Sequence, residues 1–338
     1  MKFNPGGRPL GKRETTAHSD ELLESYNNST YAWKPGMDMI LRMSKSSFND
    51  FGMCPQQYKY KHIYNLPEEG DTEDMVCGNN LHWFVEYFWD YVDTTLPTVM
   101  KHIEDDNHFL AKEALRSTVP EPPEPYRLGE EAIIQKWLDW QFNRLLITEG
   151  KDWKAVGNEV SAHARIEVDV DGEMITVHLR GYVDSIFPDG DGGFVLMELK
   201  TGKWKPSKAK SMREEMQFYR LMLEEGQHTD YLPITHWAWE FPNGQKNDGV
   251  RAEWELEEIG TRKTKYAPRT VMNNMKKLVQ AHINDDFPAK PMSWSVIDQY
   301  EPMKEDGSPQ RIMKNICEWC SFVDICPKWT GVEENEEN

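Results

Sequence analysis

The chain has 338 residues, 38% hydrophobic, 28% charged and 12% aromatic, enough to bury a sizeable core in one large domain or two smaller ones. No apolar run reaches the ~18–20 residues that span a bilayer, and "MKFNPGGRPLGKRETTAHSD" lacks the apolar core of a signal peptide. A formal charge of −18 argues against a general polyanion binder, and five clustered cysteines suit a metal site in a reducing cytoplasm better than a disulfide framework.

Residues 1–38, rich in Gly, Pro and polar side chains, read as a flexible arm. From 39 to 330 the chain reads as a single domain in three parts: helical over 44–150, a core over 155–284, and a cysteine-bearing segment over 285–330. An acidic tail, 331–338, follows. Within the helical part, 44–65 opens on serine caps and carries aromatics at helical spacings. "NNLHWFVEYFWDYV" (79–92) and "EEAIIQKWLDWQFNRLLI" (130–147) predict two amphipathic helices, separated by the Pro-rich "STVPEPPEPYRLG".

The apolar period then changes to two. "NEVSAHARIEVDV", "EMITVHLRGYVDSIF" and "FVLMELK" predict consecutive strands joined by Asp-Gly turns. A helix over 211–225, the strands "THWAWEF" and "VRAEWEL" around "PNGQKNDG", and a helix over 270–283 complete the order. Helices, a strand meander, helix, strands and helix make an α/β core with a mixed sheet and a helical elaboration before it.

Two strands carry the chemistry. Glu198 and Lys200, two apart in "VLMELKTGK", project from one face. Asp184 ends the apolar part of "RGYVDSIF" and stands opposite Glu198 in one of two strand parities. Paired carboxylates suit Mg2+, and a lysine beside them orients or deprotonates a water and offsets negative charge. An exposed ion-pair face is the plain alternative. Two basic stripes, each free of acids, run from Lys200 onward: Lys200, Lys203, Lys205, Lys208, Lys210 and Arg213 within 200–213, then Arg262, Lys263, Lys265, Arg269, Lys276 and Lys277 within 259–284. Each reads either as a solvated face or as a hold on a phosphate backbone.

Near the C-terminus, "ICEWCSFVDICPKW" sets Cys317, Cys320 and Cys326 in C-x2-C-x5-C-P order, one thiolate short of a tetrahedral zinc or an iron–sulfur cluster. Cys54, in a Cys-Pro at a helix start, and Cys77 are the two remaining thiols.

"GYVD…MELKTGK", the aromatic helix after it and the cysteine spacing together resemble the PD-(D/E)XK nuclease superfamily, in particular its RecB-like branch. The resemblance covers about residues 44–328. It implies a core like that of restriction endonucleases, with Asp184 and Glu198 binding metal, Lys200 catalytic, and the Leu199 carbonyl and His82 as further ligands. Glu159 matches a supporting acid. Tyr219 matches a helix tyrosine whose partner four residues earlier is usually Gln; here that place holds Glu215, with Gln217 only two before. Both are candidate DNA contacts, and an ionised Glu215 cannot donate a hydrogen bond. In the AddB and CRISPR-associated relatives one N-terminal Cys joins a C-terminal triplet, which implies a 4Fe–4S cluster on Cys54, Cys317, Cys320 and Cys326. The thiolates alone leave zinc open.

The resemblance thus implies a Mg2+- or Mn2+-dependent DNA exonuclease acting on single strands or DNA ends, in recombination, repair or CRISPR-type processing. No helicase phosphate loop (G-x4-G-K-S/T) occurs, so any unwinding falls to a partner. Two alternatives remain: a non-catalytic DNA-end-binding scaffold, and a zinc-stapled protein-interaction module. No membrane contact is expected, and the oligomeric state stays open.

Overall fold

Period-two burial along 157–188 builds the centre of the fold. The computed structural model describes residues 41–68, 73–120, 129–202, 204, 208–226, 228–242, 253–290, 294–299, 310–315, 317 and 320–330. The N-terminal arm, most of the Pro-rich connector, Lys203, Lys205, the "PNGQKNDG" turn beyond Pro242 and the acidic tail lie outside them.

The described residues begin with β1 (Leu41–Ser44), α1 (Lys45–Met53) and α2 (Pro55–Tyr58), which runs on as a π-helical turn, Lys59–Ile63. Three helices follow: α3 (Glu73–Glu104), α4 (His108–Arg116) and α5 (Glu130–Thr148). Then come β2 (Gly157–Val170), β3 (Glu173–Pro188), β4 (Phe194–Leu199), α6 (Ala209–Glu225), β5 (Ile234–Phe241) and β6 (Glu253–Glu258). The last elements are α7 (Ala267–Asn284), β7 (Trp294–Gln299), β8 (Gln310–Asn315) and α8 (Pro327–Thr330).

β2 and β3 form a long antiparallel hairpin, in register from Gly157 opposite Ile186 to Val170 opposite Glu173. Asp171 and Gly172 at its tip both have positive φ, the conformation Asp-Gly accepts most readily in a two-residue turn. Ala162, Ala164, Ile166, Val168, Val177, Leu179 and Val183 are buried, so one face of the hairpin packs inward and the other meets solvent. Residues 177–180 of β3 take β2 on one edge and the parallel β1 on the other; residues 185–188 take β4 on that other edge. β5 runs parallel to β4 and β6 antiparallel to β5, which completes a mixed six-stranded sheet.

Contacts divide the chain into two units. One comprises Ile40–Lys45 and Asp71–Lys276; its sheet packs an aromatic core in which Phe88 and Trp89 meet Trp137, Trp153 and Phe187 edge-on. α3 outruns its predicted span because Leu96, Val99, Met100 and Ile103 extend the same apolar stripe past Pro97. Gly226, just past α6, comes so near β2 that a Cβ there would sit 2.1 Å from the His163 carbonyl oxygen.

The other unit comprises Met1–Met39, Ser46–Gly70 and Lys277–Asn338. Its described residues centre on Tyr60, Leu66, Phe322 and Ile325, with Tyr64 and Cys320 against them. The Tyr60 hydroxyl donates to the Ile325 carbonyl at 3.2 Å. Tyr58 shares a 2.9 Å hydrogen bond with His282 Nε2 and stacks on Phe287. The β7–β8 pair was not expected from the sequence.

Candidate metal centre and active site

Asn158 pairs with Ser185 and Val160 with Val183, which sets Glu159 directly across the hairpin from Asp184. His82 reaches them from α3: its Nδ1 lies 3.8 Å from Asp184 Oδ2 and 3.9 Å from Glu159 Oε1. One donor atom from each of the three falls within 4.8 Å of the others, a spacing that suits a single cation. Glu159 holds φ at +44°, a left-handed conformation that costs a non-glycine residue roughly 1–3 kcal/mol. The strain sits on the residue that aims a carboxylate at His82.

On the next strand, Ser185 pairs with Met197, and one more step of that register sets Asp184 across from Glu198. Asp184 Oδ2 also accepts the Leu199 N–H at 2.8 Å. The two oxygens of Glu198 have different surroundings. Oε1 accepts Lys200 Nζ at 2.7 Å and Lys45 Nζ at 3.0 Å. Oε2 is buried with no hydrogen-bond partner among the described residues, although the whole residue is only 2% exposed. A dehydrated carboxylate oxygen without a donor is what a hard cation satisfies. Both lysines also reach Glu215 Oε1, at 2.5 Å from Lys45 and 3.0 Å from Lys200. Lys45 Nζ further lies 5.4 Å from the centroid of the Tyr219 ring.

The electrostatics follow from crowding. Burial, then the Glu198 charge, raises Asp184 to about 7, against the pull of His82, the Leu199 N–H and Lys200. For Glu198 burial acts upward, but Lys200 and Lys45 outweigh it and bring the carboxyl down to about 2. Burial opposes the charge on His82, yet Glu159, Asp184 and Glu198 outweigh it and raise its pKa above the ordinary histidine value. Burial likewise opposes the Lys200 ammonium, and Glu198 and Glu215 overcome it. The raised pKa suits Lys200 to charge stabilisation rather than proton abstraction. Burial first, then Glu198, pushes the Tyr219 phenol up, so it keeps its proton.

The structure brings His82, Glu159, Asp184, Glu198, Lys200, Glu215 and Tyr219 together. Lys45 is the residue that sequence reasoning missed; "RMSKSSF" gives no local sign that its amine ends 153 positions away on Glu198. Several residues read as DNA contacts have other settings. Glu215 is buried and held by the two lysines, and Gln217 is buried as well. Arg213 makes a two-point ion pair with Glu257, at 2.6 and 2.5 Å, so its fork is already occupied. Lys208, Lys210, Arg262, Lys263 and Lys265 are exposed. Lys263 lies 3.9 Å from Glu257, and Lys265 rests 4.8 Å from the Tyr266 ring centroid.

The four cysteines of the expected cluster fall in one unit. Cys54 precedes Pro55 at the start of α2, the Cys320 N–H donates to the Cys317 carbonyl at 3.1 Å, and Cys326 precedes Pro327. Burial raises the Cys320 thiol to about 12, and Cys54, Cys326 and Cys317 add to the rise; only the Phe322 backbone acts against it. All three other thiols thus lie within electrostatic reach of Cys320. Thiolate sulfur is the donor that an iron–sulfur cluster or zinc takes. Cys77 lies in the other unit, half-buried on α3.

The family described as the PD-(D/E)XK nuclease superfamily matches residues 42–327. No curated protein matches the chain. Among solved structures, the protein SSO0001 is 13% identical with a TM-score of 0.35, over 92% of this chain and 93% of its own. A candidate exonuclease from Eubacterium rectale is 12% identical with a TM-score of 0.39, over 83% of this chain and 90% of its own.

Proposed function

Because the chain belongs to the PD-(D/E)XK nuclease superfamily, we propose that it is a metal-dependent deoxyribonuclease of the RecB-like branch, acting as an exonuclease on single-stranded DNA or DNA ends. The observation that carries this reading is the His82–Glu159–Asp184 cluster beside the unpartnered, buried Oε2 of Glu198. His82, Asp184, Glu198 and the Leu199 carbonyl, with Glu159 added, would hold Mg2+ or Mn2+. Bound there, such a cation supplies a water of lowered pKa and neutralises charge on a phosphodiester. Lys200 stays charged and would offset the negative charge carried by the phosphoryl oxygens as the bond breaks. Lys45 keeps Glu198 ionised and in place, and its ammonium lies 5.4 Å from the centroid of the Tyr219 ring.

We also assign a 4Fe–4S cluster to Cys54, Cys317, Cys320 and Cys326. Ligands so far apart in sequence make the binding free energy of the cluster part of the folding free energy of its unit. Recombination, repair and CRISPR-type DNA processing are the settings this reading suggests, with a helicase partner where duplex must be opened. No helix among the described residues is long and apolar enough to cross a membrane.

The test is degradation of end-labelled linear and circular single-stranded DNA, with Mn2+ or EDTA, after anaerobic purification. Mn2+-dependent loss of the linear substrate alone, abolished by Lys200→Ala, is expected of an exonuclease. Cutting of the circle replaces it with an endonuclease, and no cutting in any metal overturns the nuclease reading. A brown protein absorbing near ~400 nm supports the cluster. Colourless protein that carries zinc, with no iron in any fraction, moves the assignment to zinc.

A further inference from the structure

The solvent face of the β1–β3–β2 layer has an unusual charge pattern. Directly opposed residues share a face, so Tyr182 stands with Ser161, Arg180 with His163, and His178 with Arg165. On the other edge of β3, Ser44 is opposite Arg180 and Arg42 opposite His178. Asp184 and Glu159 begin this file, and no acid interrupts it until Glu167, opposite Thr176. Arg42, Arg165, Arg180 and His163 are exposed, and Tyr182 is 61% exposed. None of the three arginines has an ion-pair partner among the described residues. Burial, and then Arg165, His163, Arg42 and Arg180, lower the pKa of His178, so the positive field is felt within the face itself.

Like charges opposed across strands destabilise a sheet. Here the basic side chains crowd two adjacent rows, Arg180 with His163 and then Arg42 and Arg165 on either side of His178, in a chain whose net charge is −18. A polyanion lying on the face would offset this crowding. Beside Asn158 the sign is the other: its amide donates to the Glu86 carbonyl and to Asp90 Oδ1, and burial, then Glu159 and Asp90, raise the Glu86 carboxyl. An anionic strand leaving the cluster along this face therefore meets a favourable field.

We propose that this face is the track for single-stranded DNA next to the bond being cut, with Tyr182 stacking a base, Arg180 holding a phosphate, and Arg165 and Arg42 holding the backbone one row further on. The assignment rests on the nuclease function proposed above. At a rise of about 3.3 Å per residue, Tyr182 lies about 7 Å from Asp184 along the strand, Arg180 about 13 Å and His178 about 20 Å. Phosphate contacts position a strand without reading its sequence, and an exposed aromatic ring stacks on any base. The track is therefore sequence-independent.

Binding of a fluorescein-labelled oligodeoxythymidylate, measured by anisotropy in EDTA across a salt series, tests the track apart from cutting. Arg165→Glu/Arg180→Glu is expected to weaken binding about a hundredfold at low salt and to flatten the slope of log affinity against log salt by about 2. Tyr182→Ala is expected to lose about tenfold with the slope unchanged. Lys151→Glu, half that charge change at an exposed loop residue, should bind as wild type does. Arg165→Gln/Arg180→Gln gives a milder pair should charge reversal disturb folding, as judged by circular dichroism. Wild-type affinity and slope in a folded double variant, or no binding by the wild type, overturns the track. Binding through this face by a protein that never cuts sinks the nuclease reading and keeps the track; cutting at full rate by the double variant does the reverse.

Discussion

The Lys45 ammonium lies 3.0 Å from Oε1 of Glu198, the same oxygen that Lys200 takes at 2.7 Å. One carboxylate oxygen is thus held by two cations, and the second has no hydrogen-bond partner among the described residues. Lys200→Ala is expected to slow Mn2+-dependent cleavage by about a hundred- to a thousandfold, and Lys45→Ala by about tenfold. Single-turnover rates on end-labelled DNA read both. A wild-type rate for Lys45→Ala would remove that residue from the site.

The same pairing makes a stability statement. Removing both lysines leaves Glu198 and Glu215 buried without a countercharge, which costs roughly 3–5 kcal/mol. The double Ala variant should unfold at markedly lower urea than either single variant. If the losses of the single variants simply add to a small total, the carboxylates are better hydrated than their burial implies.

Metal affinity should depend on pH. Asp184 is raised to about 7 and His82 is raised as well, so at lower pH each keeps a proton that a cation must displace. Mn2+ affinity is therefore expected to rise from pH 6 to 8 and then level off, with a shallower dependence in His82→Ala. A flat titration across that range would separate these two residues from the metal.

Glu159 can be probed through its backbone. Glu159→Gln should lower Mn2+ affinity with little change in the unfolding midpoint. Glu159→Gly should be more stable than Glu159→Ala by about 1 kcal/mol, since glycine accepts a φ of +44° without steric cost. Equal stability of the two variants would mean that the backbone relaxes and the carboxylate is aimed by something else.

His282 gives the other unit its own pH response. Burial lowers it from 6.5 to about 4, with Tyr58 on its Nε2. Between those values the unfolded chain binds the proton and the folded chain does not. Its contribution is therefore full above pH 6.5 and lost as pH falls towards 4, by on the order of 3 kcal/mol. Urea midpoints at pH 7 and 4.5 should fall further for the wild type than for His282→Gln. An identical fall would remove His282 as the cause.

The hairpin, the buried β4 and α6 were legible in the sequence because their apolar periods are long and clean. α4 and β1 were not: nine and four residues hold too few turns or alternations to stand out. The Asp184–Glu198 relation needed a parity that only the register supplies. Lys45 and the arginine face were hidden for a related reason. Arg165 and Arg180 are visible as outward residues of two strands, but which of them face each other, and what Arg42 joins, depends on pairings between distant segments. Glu215 shows the converse error. Its helix position was read correctly, whereas its burial under two lysines is a tertiary fact.

Gly226 has a consequence for all of this. Because a Cβ there would meet the His163 carbonyl at 2.1 Å, the end of α6 joins β2 as a rivet joins two plates, peptide against peptide. Ordinary core contacts have play in them, since rotamers shift to absorb a misfit. This joint has nothing to rotate. The helix that carries Glu215 and Tyr219 is pinned to the strand that carries Arg165, so tolerances at the two lysines are set in part by a residue with no side chain at all.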